Sequence, residues 1–311
     1  MDREINYSII IPHKNISELL QRCLNSIPRR EDVEIIVIDD NSDSEKVNFE
    51  KFPGLDDPFV EVLLEKKGGG AGYARNIGLS KATGKWLLFA DADDYFTDGF
   101  LQHLDKYKEA DYDLIYFGIY GIHAKTKQEY TNSKKRKKLM RKAIESKKYD
   151  RFKYSIYAPW GKMIKRELVK ENNIEFDEVR VLNDVMFSVK TAYCAKNIFF
   201  DEGKIYTFEL RSGSIRYNRT LEANFDRFCV IVRLNSFLKK IGQERYKINL
   251  IPSLWRITDV HNMIYFHKGM ELIKTTNINL FMELFQFCLF LPCRIIIKIR
   301  NKVQTRYVSN E

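Results

Sequence analysis

The chain has 311 residues, of which 44% are hydrophobic and 30% charged, so it can build a sizeable core in one or two domains and is too apolar to be disordered. Its 52 lysines and arginines against 42 acidic residues leave a net charge of +10, which favours an anionic partner: a phosphate-bearing substrate, an acidic membrane surface or nucleic acid. The five cysteines (Cys23, Cys194, Cys229, Cys288, Cys293) are scattered without a CxxC pair, which argues against a zinc site or a disulfide framework.

The opening MDREINYSIIIP has too short an apolar run for a signal peptide, and the chain is expected in the reducing cytoplasm. Ser8–Ile11 is the first of several short β-branched or apolar runs that predict strands; the others are Glu34–Ile38, Val60–Leu64, Trp86–Ala90 and Leu114–Phe117. Helical patterns separate several of them. Asn15 and Glu18 have the spacing of a capping box ahead of an apolar face formed by Leu19, Leu20, Cys23, Leu24 and Ile27. A second helix is predicted from about Gly72 to Ala82, stopped by Gly84, and a third from about Asp98 to Tyr107. Strands alternating with helices predict a mainly parallel α/β sheet, with ligands beyond the carboxyl ends of its strands.

Two strand ends are acidic. VEIIVIDDNSD closes on Asp39 and Asp40; LLFADADD closes on Asp91, Asp93 and Asp94. Strand alternation puts Asp91 and Asp93 on one side and Asp94 on the other. Like charges so close repel unless water or a cation intervenes, and paired carboxylates suit Mn²⁺ or Mg²⁺ completed by water and phosphate. Between these ends lies KKGGGAGYARNIG, whose glycines permit close backbone approach to an anion and whose Arg75 adds a fork of donors. Further along, SKKRKKLMRK (Ser133–Lys142) reads as a solvated basic face, with phosphate or membrane contact as the alternative. From about Asn218 the pattern turns helical and apolar. Asn279–Lys302 is an apolar stretch broken by Pro292 and followed by Arg294, Lys298, Arg300 and Lys302 among isoleucines. It is too interrupted for a membrane span and suits a segment lying on an anionic membrane face; a buried helix or dimer contact is the alternative.

In order along the chain, SIIIPHKN, EIIVIDDNSD, GAGYARNIGLSKATGKW, LLFADADD, APWGKMIKREL, IEFDE, LNDVMF and YTFELRSGSI resemble the motifs of the family 2 inverting glycosyltransferases of bacterial surface-polysaccharide synthesis, over about residues 5–215. The resemblance implies a GT-A nucleotide-sugar-binding fold, with a mixed, mainly parallel sheet. It implies a glycosyltransferase domain over 1–215, divided into a nucleotide-binding half (1–125) and an acceptor half (126–215); a helical C-terminal extension, 216–311, follows. It also implies a nucleotide-sugar donor, most often UDP-linked, and a glycan or lipid-linked acceptor; the Asn279–Lys302 segment is expected to attach the chain to the inner face of the cytoplasmic membrane. By position, Pro12 would line the uracil site, Asp40 would bond the base, Arg75 would sit near the nucleotide, Asp91 and Asp93 would bind the metal, and Asp184 would be the catalytic base. Two departures stand out: Lys14 where an aromatic usually precedes Asn15, and Asn183 where a glutamate usually precedes the base. Trp160 is a candidate to stack on a sugar, and Arg211 to contact diphosphate.

Other functions fit less well. A haloacid-dehalogenase-type phosphatase also carries a D-x-D after a buried strand, but wants Thr or Ser where Asp94 and Tyr95 stand, and would place that strand first in the sheet. A nucleic-acid-binding module would use the net charge and the basic run, yet no helix-turn-helix or RNP-like pattern accompanies them, so no nucleic-acid partner is expected.

Overall fold

The computed structural model describes residues 4–211, 219–258, 263–276 and 279–289. The chain forms two compact units, Met1–Asn218 and Arg219–Glu311.

The first unit is built on an eight-stranded sheet in the order β3-β2-β1-β4-β7-β6-β8-β5. Its strands are β1 (Tyr7–His13), β2 (Val33–Asp40), β3 (Val60–Glu65), β4 (Trp86–Phe89), β5 (Tyr95–Phe96), β6 (Leu114–His123), β7 (Lys162–Lys165) and β8 (Ile198–Leu210). Strands β1 to β4 are mutually parallel, as is the β6–β8 pair, whereas β7 runs antiparallel to β4 and β6, and β5 antiparallel to β8. The sheet is therefore mixed.

The apolar runs of the sequence sit at the centre because both sheet faces are covered. Ile9, Ile11, Ile35, Val37 and Leu88 point into one core, shared with α1 (Ser17–Asn25) and α3 (Phe100–Asp105). Their neighbours Ile10, Ile36, Ile38, Leu87 and Phe89 point into the other, shared with α2 (Gly70–Lys81), α4 (Thr131–Ser146) and α7 (Val185–Cys194). Each such aliphatic side chain, removed fully from water, contributes about 1.5–3 kcal/mol. Helix α2 lies almost flush on the sheet: a Cβ at Gly78 would stand 2.4 Å from Ile10 and 2.9 Å from Ile38.

Two local expectations are corrected. Asn15 does not cap α1; it adopts the left-handed conformation (φ 58°), and its side-chain oxygen accepts the Asp43 amide at 2.8 Å, tying the loop after β1 to the loop after β2. The basic run is not a uniformly solvated face. It lies on α4, where Ser133, Arg136, Met140 and Ala143 are buried at helical spacing while the lysines between them are exposed.

The second unit packs α8 (Leu221–Lys240), α9 (Ile251–Arg256), α10 (Ile264–Thr275) and α11 (Leu280–Leu289) around Phe228, Ile231, Val232, Leu250, Ile257 and Ile273. The Thr220 hydroxyl accepts the Ala223 amide at the start of α8. On α11, the polar interruption Glu283 accepts the Leu250 amide at 2.8 Å, whereas Phe281, Met282, Leu284 and Phe285 are exposed. Among the described residues no helix is long and apolar enough to cross a membrane. The basic residues from Arg294 onward lie outside the described residues.

Candidate active site

The parallel register of β1, β2 and β4 brings their carboxyl ends to one edge of the sheet. At that edge Pro12 is buried, opposite Ile38. Next to it the His13 Nδ1–H donates to Asp39 at 2.7 Å, while Nε2 accepts the Ile16 amide at 3.1 Å, a pattern that requires the neutral ring. Asp39 also accepts from the Ser42 amide and hydroxyl. Burial would raise its carboxyl, but these hydrogen bonds outweigh it and the pKa is lowered. Asp40 is held differently: both carboxylate oxygens accept the Gly70 amide at 3.0 Å, and Lys14 stands 3.5 Å away. The glycine-rich loop is thus fixed to the end of β2, with Gly70 at φ 87° opening α2.

The D-x-D segment is a turn rather than extended strand, closed by the Asp94 amide donating to the Asp91 carbonyl at 3.0 Å. The turn corrects the alternating arrangement expected from the sequence. All three carboxyl groups converge, with oxygens within 4.8 Å of one another. They have different roles in the turn. Asp94 is buried, and both its oxygens are used, one accepting from the Tyr206 hydroxyl and one from the Glu209 amide, each at 2.9 Å. Burial, together with the charges of Asp91 and Asp93, pushes its carboxyl well up. The Tyr206 hydroxyl in turn accepts the Asp91 amide at 2.9 Å, so one phenol pins both ends of the turn. Arg22, from α1, donates to the Asp93 carbonyl at 2.6 Å and to Glu209 at 2.8 Å.

Asp91 receives Arg75 at 2.5 Å on one oxygen and the Trp160 ring N–H at 3.2 Å on the other. Trp160 stacks on Tyr206 and Phe208, each with ring centroids 5.4 Å apart, and so packs as a wall of the site. Asp93 accepts from Arg211 through Oδ2 at 2.7 Å; burial and the Asp91 charge raise its carboxyl. Arg75 is buried and also donates to Asn183 at 2.9 Å, which joins the D-x-D turn to the start of α7.

Asp184 occupies the cap position of α7 but makes no side-chain capping hydrogen bond. Its carboxyl is raised by burial and by Asp91, against the opposing charges of Arg75 and Lys162. Lys162, buried on β7 and donating to the Ser188 hydroxyl at 2.9 Å, is brought down to about 7 by burial and Arg136, with Asp184 opposing. The structure therefore joins Arg75, Asp91 and Asp93 in one cluster and links it through Asn183 to Asp184. Pro12 and Asp40 share the strand-end edge, with no hydrogen bond or ion pair to that cluster among the described residues. Sequence reading passed over Tyr206, Arg22 and Lys162. Tyr206 and Lys162 lie inside motifs quoted above; Arg22 carries no signal in its neighbourhood.

Three converging carboxyl groups, already drawing in Arg75 and Arg211, are a hard-oxygen donor set that fits a small divalent cation. Asp91 and Asp93 remain partly exposed, whereas Asp94 is buried with both oxygens engaged by the fold.

Comparison with known proteins accords with this geometry. Over 222 residues the chain is 26% identical to the glycosyltransferase GlyG of Streptococcus pneumoniae, covering 67% of this chain and 72% of that protein. It is 31% identical over 205 residues to TarP of Staphylococcus aureus, a poly(ribitol-phosphate) beta-N-acetylglucosaminyltransferase, covering 61% of this chain and 58% of TarP. It spans 62% of the Bacillus subtilis glycosyltransferase EpsJ and 31% of the pneumococcal glycosyltransferase GlyA. In structure it is similar to residues 1–349 of S. aureus TarS in complex with UDP-GlcNAc, with a TM-score of 0.64, 18% identity and coverage of 88% of this chain and 82% of that fragment. The mannosyltransferase PcManGT of Pyrobaculum calidifontis, in complex with GDP-Man and Mn²⁺, gives 0.55 at 14% identity, covering 96% of this chain and 85% of that one. Residues 8–172 match the Glycosyl transferase family 2 model, more than half of the chain, and on that match the chain belongs to this family as a glycosyltransferase of GT-A fold.

Proposed function

We infer that the enzyme transfers a sugar from a nucleotide-sugar, UDP-linked, to a hydroxyl of a glycan or lipid-linked acceptor in surface-polysaccharide synthesis, with inversion at the anomeric carbon. The observation that carries this reading is Asp184: an aspartate at a helix cap whose carboxylate is not spent on capping, linked through Asn183 and Arg75 to the D-x-D turn. A carboxylate in that position accepts the proton of the attacking hydroxyl, and a single displacement from the face opposite the leaving group inverts the centre. Asp93, with Asp91, would hold Mn²⁺ or Mg²⁺; when bound, such an ion offsets the charge that develops on a diphosphate leaving group. Pro12 and Asp40, at the strand-end edge, would receive the uracil, with Arg75 near the nucleotide. In this reading residues 1–125 serve the nucleotide and 126–215 the acceptor. TarS in complex with UDP-GlcNAc supports the choice of UDP. To test it, UDP- and GDP-sugars are offered with Mn²⁺ and released nucleotide is measured. Release from at least one UDP-sugar, abolished by chelator, is expected; no release from any UDP-sugar, or release indifferent to chelator, refutes it.

The second unit suits attachment to the inner face of the cytoplasmic membrane. Phe281, at 75% exposed, stands with Met282, Leu284 and Phe285 on α11, and the sequence that follows carries Arg294, Lys298, Arg300 and Lys302. Each basic residue near an anionic surface is worth about 1 kcal/mol. Full-length protein is expected to sediment with anionic vesicles and to be released by salt, because that part of the attraction is screened. The doubly substituted chain Phe281→Ser, Phe285→Ser should stay in the supernatant. Equal sedimentation of both chains, or of neither, removes the membrane assignment.

A further inference from the structure

A cavity of about 180 Å³, with a lining of mixed polar and apolar residues, opens in the first unit between α4, β6 and β8. Its polar lining is Ser133, Arg136, Lys137, Arg141, Glu202 and Lys204: four cations and one carboxylate. Glu202 is already paired with Arg141 at 2.7 Å. The Lys204 ammonium rests 3.8 Å from the centroid of the Tyr120 ring. The inner wall is Arg136, only 6% exposed. Its Nη2 makes two long contacts of 3.4 Å, to the Phe117 and Gly161 carbonyls; its Nε and Nη1 are closed off from open space and have no acceptor among the described residues, and the guanidinium lies over the Phe152 ring, 5.5 Å from its centroid. Burial lowers the guanidinium to about 10, so it stays charged at neutral pH.

A buried cation with unmet donors is a costly arrangement for a fold to keep without a counter-charge. Lysines would keep the rim soluble, but they do not explain an arginine turned inward from the same helix. The cavity far exceeds the space one water needs, and the excess positive charge of its lining calls for an anion as counter-charge. We propose that this cavity is a binding site for a phosphate group, separate from the D-x-D turn. The phosphate is either a free anion or the headgroup of an amphiphile. The pocket is also placed to report on the reaction centre. The Arg136 guanidinium lies 5.5 Å from the Trp160 ring centroid, and the Trp160 N–H is bonded to Asp91. The assignment does not rest on which donor the enzyme uses.

The test is calorimetric titration of the full chain, in chelator and low salt, with inorganic phosphate in one arm and dodecyl phosphate in the other. Lys137→Glu and Lys204→Glu alter the rim of the cavity, and Arg136→Gln alters its inner wall. Saturable binding in at least one arm is expected, weakened by about 10-fold or more in each variant, the scale of losing a charged hydrogen-bonding partner. Whichever arm binds with that dependence names the source of the phosphate. Should Arg136→Gln fail to fold, the two rim variants carry the result. Absence of saturable binding in both arms, or binding that neither lysine substitution weakens, overturns the proposal.

Discussion

Asp184→Asn is expected to lower turnover by at least ~100-fold while leaving donor affinity in place, the usual scale for losing a positioned general base. The substitution preserves volume and polarity at the cap of α7. Because the Asp184 carboxylate makes no capping bond there, the helix loses no capping hydrogen bond by the change, only about 0.3–1 kcal/mol of charge–dipole attraction. What is lost is the capacity to accept a proton. The pH dependence gives a second readout. Burial and Asp91 raise this carboxyl above the ordinary carboxylate range, with Arg75 and Lys162 opposing. A base works only when ionised, so the rate falls as pH is lowered through that raised pKa, and the acid limb of the profile should lie above the position of an unperturbed aspartate. Measuring kcat against pH at saturating donor locates that limb. Undiminished transfer by the asparagine variant would move the base elsewhere.

Asp93→Ala should abolish the stimulation of nucleotide binding by Mn²⁺. Even residues one shell removed from a metal cost 10–100-fold when changed, so loss of a ligand should weaken metal-dependent binding by at least about 100-fold. The contrast among the three aspartates gives the experiment its meaning. Asp94 spends both oxygens on Tyr206 and Glu209, and removing it would damage the turn itself. Asp93 is held through one oxygen, by Arg211, so alanine there removes a ligand and leaves the turn closed by the Asp94 amide. Calorimetric titration of UDP with Mn²⁺ and with chelator separates the two effects. Equal affinity in both media for the unsubstituted enzyme would dispose of the metal role.

Much of the sheet was legible because its strands are buried on both faces, which leaves continuous apolar runs such as SIII and EIIVI and abrupt acidic ends. The D-x-D stands out in the sequence because charge at the end of such a run is conspicuous, whereas Asp184 is singled out only by its place in a motif order that resembles a known family. What escaped was geometry carried by long-range contacts. Turn closure brought Asp94 beside Asp91 and Asp93, and nothing local distinguishes that turn from one more strand residue. Asn15 has the spacing of a capping box, yet the amide of Asp43, distant in sequence, claims its side chain. Arg136 is hidden in the basic run, since surrounding lysines mask the helical periodicity of Ser133, Arg136, Met140 and Ala143. Tyr206 became important only when β8 laid its hydroxyl between two aspartates.

The flush seat of α2 has a further consequence. The helix carries Gly70 at one end, bonded to Asp40, and Arg75 one and a half turns on, bonded to Asp91. Its standoff from the sheet therefore sets the gauge between the Asp40 loop and the D-x-D turn, much as a spacer sets the jaws of a clamp. Gly78, which touches no part of the site, fixes that standoff through Ile10 and Ile38. An added methyl group there must shift the helix or its neighbours. Mutational tolerance at this core position is thus a measure of how finely the opening between the two loops has to be held.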